Sequence, residues 1–384
     1  MADRVLRATL VVNHRIFLYG TLCDPELFAI VAGEPFNPRP ALLDDHASVW
    51  ARDESFPLIV RRPGARTEGA IVEVGDAAKA RLDFYELGFH YTLEPVTVNA
   101  GGVALESLVY FPDAGKWAEG QPWSLPEWQH VFGTHAREAA TEYMSLIATH
   151  SPEAAAAAFP QIRMRAASRL RAGANPTPHA AGPEMRVEDV NLSVSRQPYT
   201  KFFALREDDL QFPTFGGGLS EMVNRATFLG GDAVTILPYD PKLDCVLLIR
   251  QFRHGVYVRG DSNPWTIEPA AGRIDPGETP EETALRELRE ETGAVATKLF
   301  RVAEYYPSPS AFSEFIYSFV ALADLSEQDG RTAGLESENE DIMSHVIPFE
   351  RLMEFLETGA ANTAPLVLSA LWLASRRETL RRAD

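Results

Sequence analysis

The chain has few cysteines, a deficit of basic charge and no long apolar run. Cys23 and Cys245 are the only cysteines in 384 residues and stand in different halves, which excludes a disulfide framework or a thiolate metal site built from them. Lys and Arg number 36 against 54 Asp and Glu, a formal net charge of -18. Such a balance argues against a nucleic-acid backbone or an anionic membrane as partner. No stretch is long enough to span a bilayer, and the apolar part of the opening MADRVLRATLVVNHR is too short for a secretory signal. The expected location is cytoplasmic. An anionic substrate stays open, because a bound divalent cation inverts the local field.

What is present is a globular composition, with 45% apolar and 23% charged residues over a length that suits two domains. Residues 171–183, RAGANPTPHAAGP, have no apolar period and read as a linker. Before them, HAREAATEYMSLIATH and PEAAAAAFPQIRMRAASRL carry helical patterns that trail a first domain. The expected division is a domain at 14–115, a helical extension and linker at 116–183, and a second domain at 184–384. In the second domain, AVTILPY, CVLLIRQF, PWTIEPAAG, LFRVAEYYP, FIYSFVALA and MSHVIPF are strand-like, and a last helix is expected near 364–381.

One segment carries the most chemistry: GRIDPGETPEETALRELREETGA, Gly272 to Ala294. Thr279 with Glu282 forms a capping box, Pro280 takes the first helical position, and Gly293 supplies a left-handed end. On the helix between them, Glu287, Glu290 and Glu291 stand at i, i+3 and i+4 and share a face. Leu285 and Leu288 are expected on the opposite side, anchoring the helix to a core. Like charges at these spacings repel, so a structural helix gains nothing from them. Hard divalent cations favour such carboxylate oxygens.

Eight positions of this segment, from Gly272 through Glu278, Arg286, Glu287, Leu288, Glu290 and Glu291 to Gly293, stand at the spacing of the Nudix box. The chain therefore resembles enzymes that split a nucleoside diphosphate linked to another group. Pro309, sixteen residues after Gly293, and the segment LESENEDIMSHVIP narrow the resemblance to ADP-ribose pyrophosphatases over about residues 190–380. The resemblance implies an α/β/α sandwich and Mg²⁺ or Mn²⁺ held by Glu287, Glu290, Glu291 and the backbone carbonyl of Ala271. It further implies that Arg286 orients the carboxylates and that Glu338 or Glu340 is the general base. Arg225 and Arg253 would bind the diphosphate, Phe202 the adenine and Glu268 the terminal ribose. The implied substrate is ADP-ribose or a close relative, and the implied assembly a homodimer in which Arg225 can reach the other subunit's site. Two alternatives stay open: cleavage of another nucleotide sugar or a dinucleotide, and a nucleotide-sensing module.

The first half carries a fainter signature. FLYGTL reads as a strand ending in a tight turn at Gly20, whose amides can bind a carboxylate. Tyr19, Gly20, Thr21 and Leu22, with Gly69, Glu86 and Tyr91, resemble the γ-glutamylcyclotransferase-like β-barrel over about residues 15–112. That resemblance implies a turn that cradles a γ-glutamyl group and a Glu86 that shuttles protons, which needs an enclosed site to raise its pKa. The family often has a basic residue after the tyrosine, where Thr92 and Leu93 stand here. An active cyclotransferase and an inactive binding module both remain open. Cys23 reads as a small apolar packing residue. The whole chain is thus expected to be a two-domain α+β protein. The pairing of these two halves resembles the bacterial tellurite-resistance-associated Nudix proteins, a name for a phenotype.

Overall fold

The structure, a computed structural model, describes residues 13–334 and 340–382. Glu338 lies outside them. Two compact units are present, one running to Thr177 with Thr200–Phe202, the other comprising Pro178–Tyr199 and the chain from Phe203 onward.

The first unit is organised around β1 (His14–Leu18), α1 (Pro25–Ala32), β2 (Arg39–Ala51), β3 (Pro57–Val74), α2 (Asp76–Leu87), β4 (Tyr91–Ala100), β5 (Val103–Pro112) and β6 (Glu119–Pro122). Strands β3, β1, β5, β4 and β2 pair in that order, and β2 pairs back onto β3, so five strands close into a barrel. β1 and β5 run parallel; the other pairs are antiparallel. β2 bends at a bulge between Asp44 and His46, where Asp45 takes φ 57°, the local kink that lets a long strand curve around a barrel. Phe17, Leu43, Ile59, Ile71, Val98 and Phe111 fill the interior. Gly69 has to be glycine: a Cβ there would lie 2.2 Å from the Leu18 carbonyl oxygen and 2.6 Å from the Phe17 ring.

Four further helices follow: α3 (Leu125–Trp128), α4 (Thr134–Ser145), α5 (Pro152–Ala157) and α6 (Phe159–Ala174). Tyr143 of α4 and Ile162 of α6 pack with Leu27, Phe28 and Leu82 in one apolar cluster, so these helices belong to the barrel's own unit. The expected linker starts too early. Helix α6 runs through Arg171 to Ala174 and stops at Asn175, just before Pro176, which disfavours the helical conformation in the residue it follows.

The second unit carries β7 (Asn191–Thr200, all but its last residue), β8 (Ala204–Gln211) and β9 (Val223–Leu229), a three-stranded sheet. The remaining elements are β10 (Ala233–Asp240), β11 (Cys245–Phe252), α7 (His254–Arg259), β12 (Trp265–Glu268), β13 (Ala270–Arg273), α8 (Pro280–Thr292), β14 (Ala296–Tyr305), β15 (Ile316–Ala323), β16 (Thr332–Ala333), β17 (Ile342–Pro348), α9 (Phe349–Thr358) and α10 (Ala364–Arg382). The main sheet runs β14-β15-β10-β11-β17-β16, with β12 on β11 and β13 on β10, and is mixed because β10 and β15 are parallel. Alternation along β11 divides the core. Leu247 and Ile249 meet Ala284 and Leu288 of α8, while Val246 and Leu248 meet Leu352 of α9 and Leu366 and Leu373 of α10. Helices therefore cover both faces. Among the described residues no helix is long and apolar enough to cross a membrane.

Helix α8 corrects one expectation. Leu288 is fully buried, but Leu285 is 38% exposed. The core face is set by Ala284 and Leu288, four residues apart, and Glu287 and Glu291 lie beside them on that same inward side.

Candidate active sites

The acidic helix is placed by local chemistry. The Thr279 hydroxyl accepts the Glu282 amide at 3.2 Å, and the Glu282 carboxylate accepts the Thr279 amide at 2.9 Å. Gly293 closes the helix at φ 71°. At the other side of the loop, Gly272 leaves the room that Glu287 fills, since a Cβ on it would stand 1.8 Å from Glu287 Oε1.

Burial sorts the three acids. Glu287 and Glu291 are 9% and 2% exposed, whereas Glu290 sits on the open rim. Arg286 donates to Glu278 Oε1 and Oε2 at 3.0 Å each, to Glu287 Oε1 at 2.7 Å, to Glu290 Oε2 at 3.0 Å and to the Arg273 carbonyl at 3.2 Å. Glu291 Oε2 accepts the Ala271 amide at 2.8 Å, while its Oε1 is buried with no hydrogen-bond partner among the described residues. Burial drives the Glu291 carboxyl well above the usual range, with only partial relief from the Ala271 amide. It also pushes Glu287 up to about 7 against the pull of Arg286. Two enclosed carboxylates with an orphaned oxygen make a pocket short of positive charge, and a divalent cation with oxygen ligands fits it. No three acidic, His or Cys side chains among the described residues already form a cage; Arg286 bonds to both Glu287 and Glu290.

The other nominated residues are distributed unevenly. Glu340 exerts its charge on Glu287, Glu291 and Arg253, so it faces the acidic pocket. Arg253 and Glu268, nominated for different parts of a substrate, are bonded to one another: Arg253 Nη2 lies 2.6 Å from Glu268 Oε2, and Nε reaches both oxygens. Thr266 adds a hydroxyl donor to Glu268. Arg225 lies on β9, its guanidinium on the Asn224 carbonyl, and Phe202 is 59% exposed in the β7–β8 connection. Pro309 lies in the β14–β15 loop, which is stapled to the end of β9 by Phe228 N–H to Ala311 carbonyl and Ser313 N–H to Phe228 carbonyl bonds of 2.8 and 3.0 Å.

Two residues escaped the sequence reading. Phe203, next to Phe202, carries the Arg273 guanidinium 5.2 Å above its ring. Glu314, half-buried, has its carboxyl raised by burial and faces the charges of Arg273 and Arg253. The only advance signal for Glu314 was its place in the SPSAFSE stretch beside Pro309.

A second site lies in the first unit. Glu86 near the end of α2 keeps part of its surface open, yet its carboxyl is enclosed, and burial pushes it up to about 8. Its charge is felt by Tyr19, Tyr85, Tyr91, Tyr110 and Tyr143, and no hydrogen bond or ion pair reaches its carboxyl among the described residues. Tyr19 donates to the Tyr110 carbonyl at 3.1 Å and Tyr91 to the Pro57 carbonyl at 3.0 Å, which holds both rings in place. The Thr21–Cys23 turn follows Gly20, where a Cβ would strike the Pro57 ring at 2.6 Å. Burial lifts the Cys23 thiol to about 12, so it stays protonated and acts as packing, not as a nucleophile.

Beside that turn is a cavity of about 710 Å³ whose wall includes Tyr19, Cys23, Thr67 and Gly69. Glu86 is not on this wall; Tyr19 is, and its hydroxyl feels the Glu86 charge.

Comparison with known proteins agrees with the two halves. A model described as the NUDIX domain matches residues 230–368, and one described as gamma-glutamyl cyclotransferase, AIG2-like, matches residues 16–130. The chain is 33% identical over 188 residues to an ADP-ribose pyrophosphatase of Haemophilus influenzae, covering 48% of this chain and 86% of the relative. It is 34% identical over 193 residues to an ADP-ribose pyrophosphatase of Escherichia coli strain K12, covering 50% and 91%. A GDP-mannose pyrophosphatase of Escherichia coli O1:K1 is 35% identical over 144 residues, covering 38% and 74%.

Proposed function

The chain belongs to the Nudix family, and from that premise we propose that its C-terminal domain hydrolyses the diphosphate of ADP-ribose, giving AMP and ribose 5-phosphate. The observation that carries this reading is the buried Glu287–Glu291 pair with its orphaned oxygen, in the space that Gly272 leaves bare. Glu287, Glu291, Glu290 and the Ala271 carbonyl would hold Mg²⁺ or Mn²⁺. When bound, such ions lower the pKa of water and neutralise charge developing on the diphosphate. Arg286 orients Glu287 and Glu290 by charge-assisted hydrogen bonds. Glu340, facing the pocket, takes the proton from the attacking water, with Glu338 as its rival. Arg253, braced by Glu268, and Arg225 bind the diphosphate through planar guanidiniums. Phe202 stacks on adenine, Glu268 meets the terminal ribose, and the pinned Pro309 loop bounds the substrate. The exposed Leu192, Val194 and Tyr199 of β7 support a homodimer formed by this small sheet.

An assay of the full chain with Mg²⁺ on ADP-ribose, GDP-mannose and NADH, side by side, tests the reading. Nucleoside monophosphate should be released fastest from ADP-ribose, as AMP, with slower AMP from NADH and GMP from GDP-mannose, and Glu291→Gln should abolish release with an unchanged fold. Preferred cleavage of GDP-mannose would move the substrate to the class named for the third relative.

The enclosed, unpaired Glu86 favours a second reading, for the N-terminal domain: release of 5-oxoproline from a γ-glutamyl amide, with the Tyr19–Leu22 turn holding the γ-glutamyl group and Glu86 relaying protons. A carboxyl held near pH 8 can both accept and return a proton close to neutrality. Loss of 5-oxoproline release in Glu86→Gln, with Nudix turnover intact, is the expected result. No release from the wild-type chain would leave the domain a binding module.

A further inference from the structure

Glu340 stands at a neck where the chain passes close to itself. The described ends of the connection between β16 and β17 are Gly334 and Glu340, and they meet. A Cβ on Gly334 would lie 2.8 Å from the Glu340 Cβ, 2.9 Å from its carbonyl oxygen and 3.1 Å from its carbonyl carbon. None of these atoms moves when a side chain rotates, so any residue but glycine has to displace the Glu340 backbone. Gly334 also takes φ 109°, a conformation that residues with a Cβ rarely adopt. Contact and dihedral angle, taken separately, each call for glycine here.

The chain on either side of the neck is held. Thr332 pairs with Met343 and Ala333 with Ile342, and Ile342 is fully buried in the cluster that contains Ala284 and Leu288 of α8. Ahead of β16, the buried Ser344 of β17 grips the incoming chain. Its hydroxyl donates to the Gln328 carbonyl at 2.6 Å and accepts the Arg331 amide at 3.2 Å, and its amide donates to the Arg331 carbonyl at 2.9 Å. The Arg331 guanidinium lies over the glycine that ends α8, 3.0 Å from where a Gly293 Cβ would stand. The neck is thereby fixed relative to the acidic helix. Glu340 exerts its charge on Glu287, Glu291 and Arg253. Two of these are carboxylates that repel it, so the backbone has to hold it there.

We infer that Gly334 is a positioning residue for diphosphate hydrolysis: its lack of a side chain lets the neck close and seats Glu340 beside Glu287 and Glu291. The inference rests on the hydrolase reading of the second domain, with Glu340 as the group that takes the proton. Gly334 touches no reacting atom and acts through Glu340. A methyl group 2.8 Å from the Glu340 Cβ forces a shift on the order of 1 Å before ordinary contact distances return. A displacement of that size in a catalytic group costs about a hundredfold in rate.

The test measures nucleoside monophosphate release by the full chain with Mg²⁺, from ADP-ribose and, beside it, GDP-mannose. The variants are Gly334→Ala, Glu340→Gln, the two combined, and Gly330→Ala as control. Gly330 also has a positive φ, 68°, but nothing lies within 4 Å of where its Cβ would stand, so its alanine carries strain without displacement. On the cleaved substrate Gly334→Ala should lower kcat by roughly thirty- to a hundredfold with KM within about threefold, and Gly330→Ala should stay within about threefold on both. Added to Glu340→Gln, Gly334→Ala should change kcat by less than about threefold, whereas a purely structural loss would multiply. Should Gly334→Ala fail to fold, Gly334→Asn takes its place, with the same Cβ in a residue that tolerates positive φ. Wild-type kcat in the Gly334 variant, an equal fall in Gly330→Ala, a multiplied loss in the double variant or full turnover in Glu340→Gln would each overturn the inference. All four would leave the hydrolase reading standing. Release from neither substrate by the wild-type chain would sink that reading, and the inference with it.

Discussion

Glu86→Gln should stabilise the first unit above neutral pH, by an amount the structure sets. The Glu86 carboxyl is raised from 4.5 to about 8 by burial. Each pKa unit corresponds to about 1.4 kcal/mol, so the full shift costs the folded state about 3–5 kcal/mol once the group is ionised. The sign follows from proton binding. Below pH 4.5 the carboxyl is neutral in both states and costs nothing. Between 4.5 and 8 the folded state holds a proton that the unfolded chain has released, so stability falls as pH rises. Above 8 the penalty is complete and constant. The groups facing Glu86 from the surrounding elements are Tyr19 just after β1, Tyr85 of α2, Tyr91 of β4, Tyr110 of β5 and Tyr143 of α4, all raised above the usual tyrosine range chiefly by burial. Cys23, near Tyr19, is raised likewise, and Asp83 is occupied by Lys79 and the Tyr110 hydroxyl. None supplies a compensating cation, and no tyrosine titrates in the window. Calorimetry of wild type and Glu86→Gln at pH 5 to 9 should therefore give midpoints for this unit that coincide near pH 5 and separate by roughly 10 °C at pH 8.5. Parallel curves across that range would refute the enclosure of Glu86.

Two other perturbations probe the acidic helix. Gly272→Ala places a methyl group 1.8 Å from Glu287 Oε1, so the carboxylate must leave its position. Turnover should fall by about a hundredfold or more with unchanged circular dichroism, and activity within threefold of wild type would contradict the packing. Leu288→Ala empties a fully buried site and should cost about 2–5 kcal/mol in denaturant unfolding. Leu285→Ala, at a position 38% exposed, should stay within about 1 kcal/mol.

Much of this molecule is legible along the chain. The ends of α8 follow from Thr279, Pro280, Glu282 and Gly293, because caps are satisfied by atoms within one turn. The strands of the second unit follow from runs such as Cys245–Phe252, whose apolar residues face helices on both sides. The barrel of the first unit was legible only through the Tyr19–Leu22 turn, Gly69, Glu86 and Tyr91, which agrees with the match over residues 16–130.

Other features required the fold. The i, i+3, i+4 spacing grouped Glu287, Glu290 and Glu291, but only packing against β10 and β13 decided that Glu287 and Glu291 turn inward with Leu288, leaving Glu290 and Leu285 outside. Arg253 and Glu268, fifteen residues apart, meet because β11 and β12 pair and the arginine side chain, just past β11, reaches along the hairpin to Glu268. Glu86 acquires its character from burial among tyrosines, of which Tyr85 and Tyr91 are near in sequence and Tyr19, Tyr110 and Tyr143 are remote. Capping and periodicity act between neighbours and are written in the chain itself. Burial and the charge states it imposes depend on which distant residues exclude water, and that is settled only when the chain has folded.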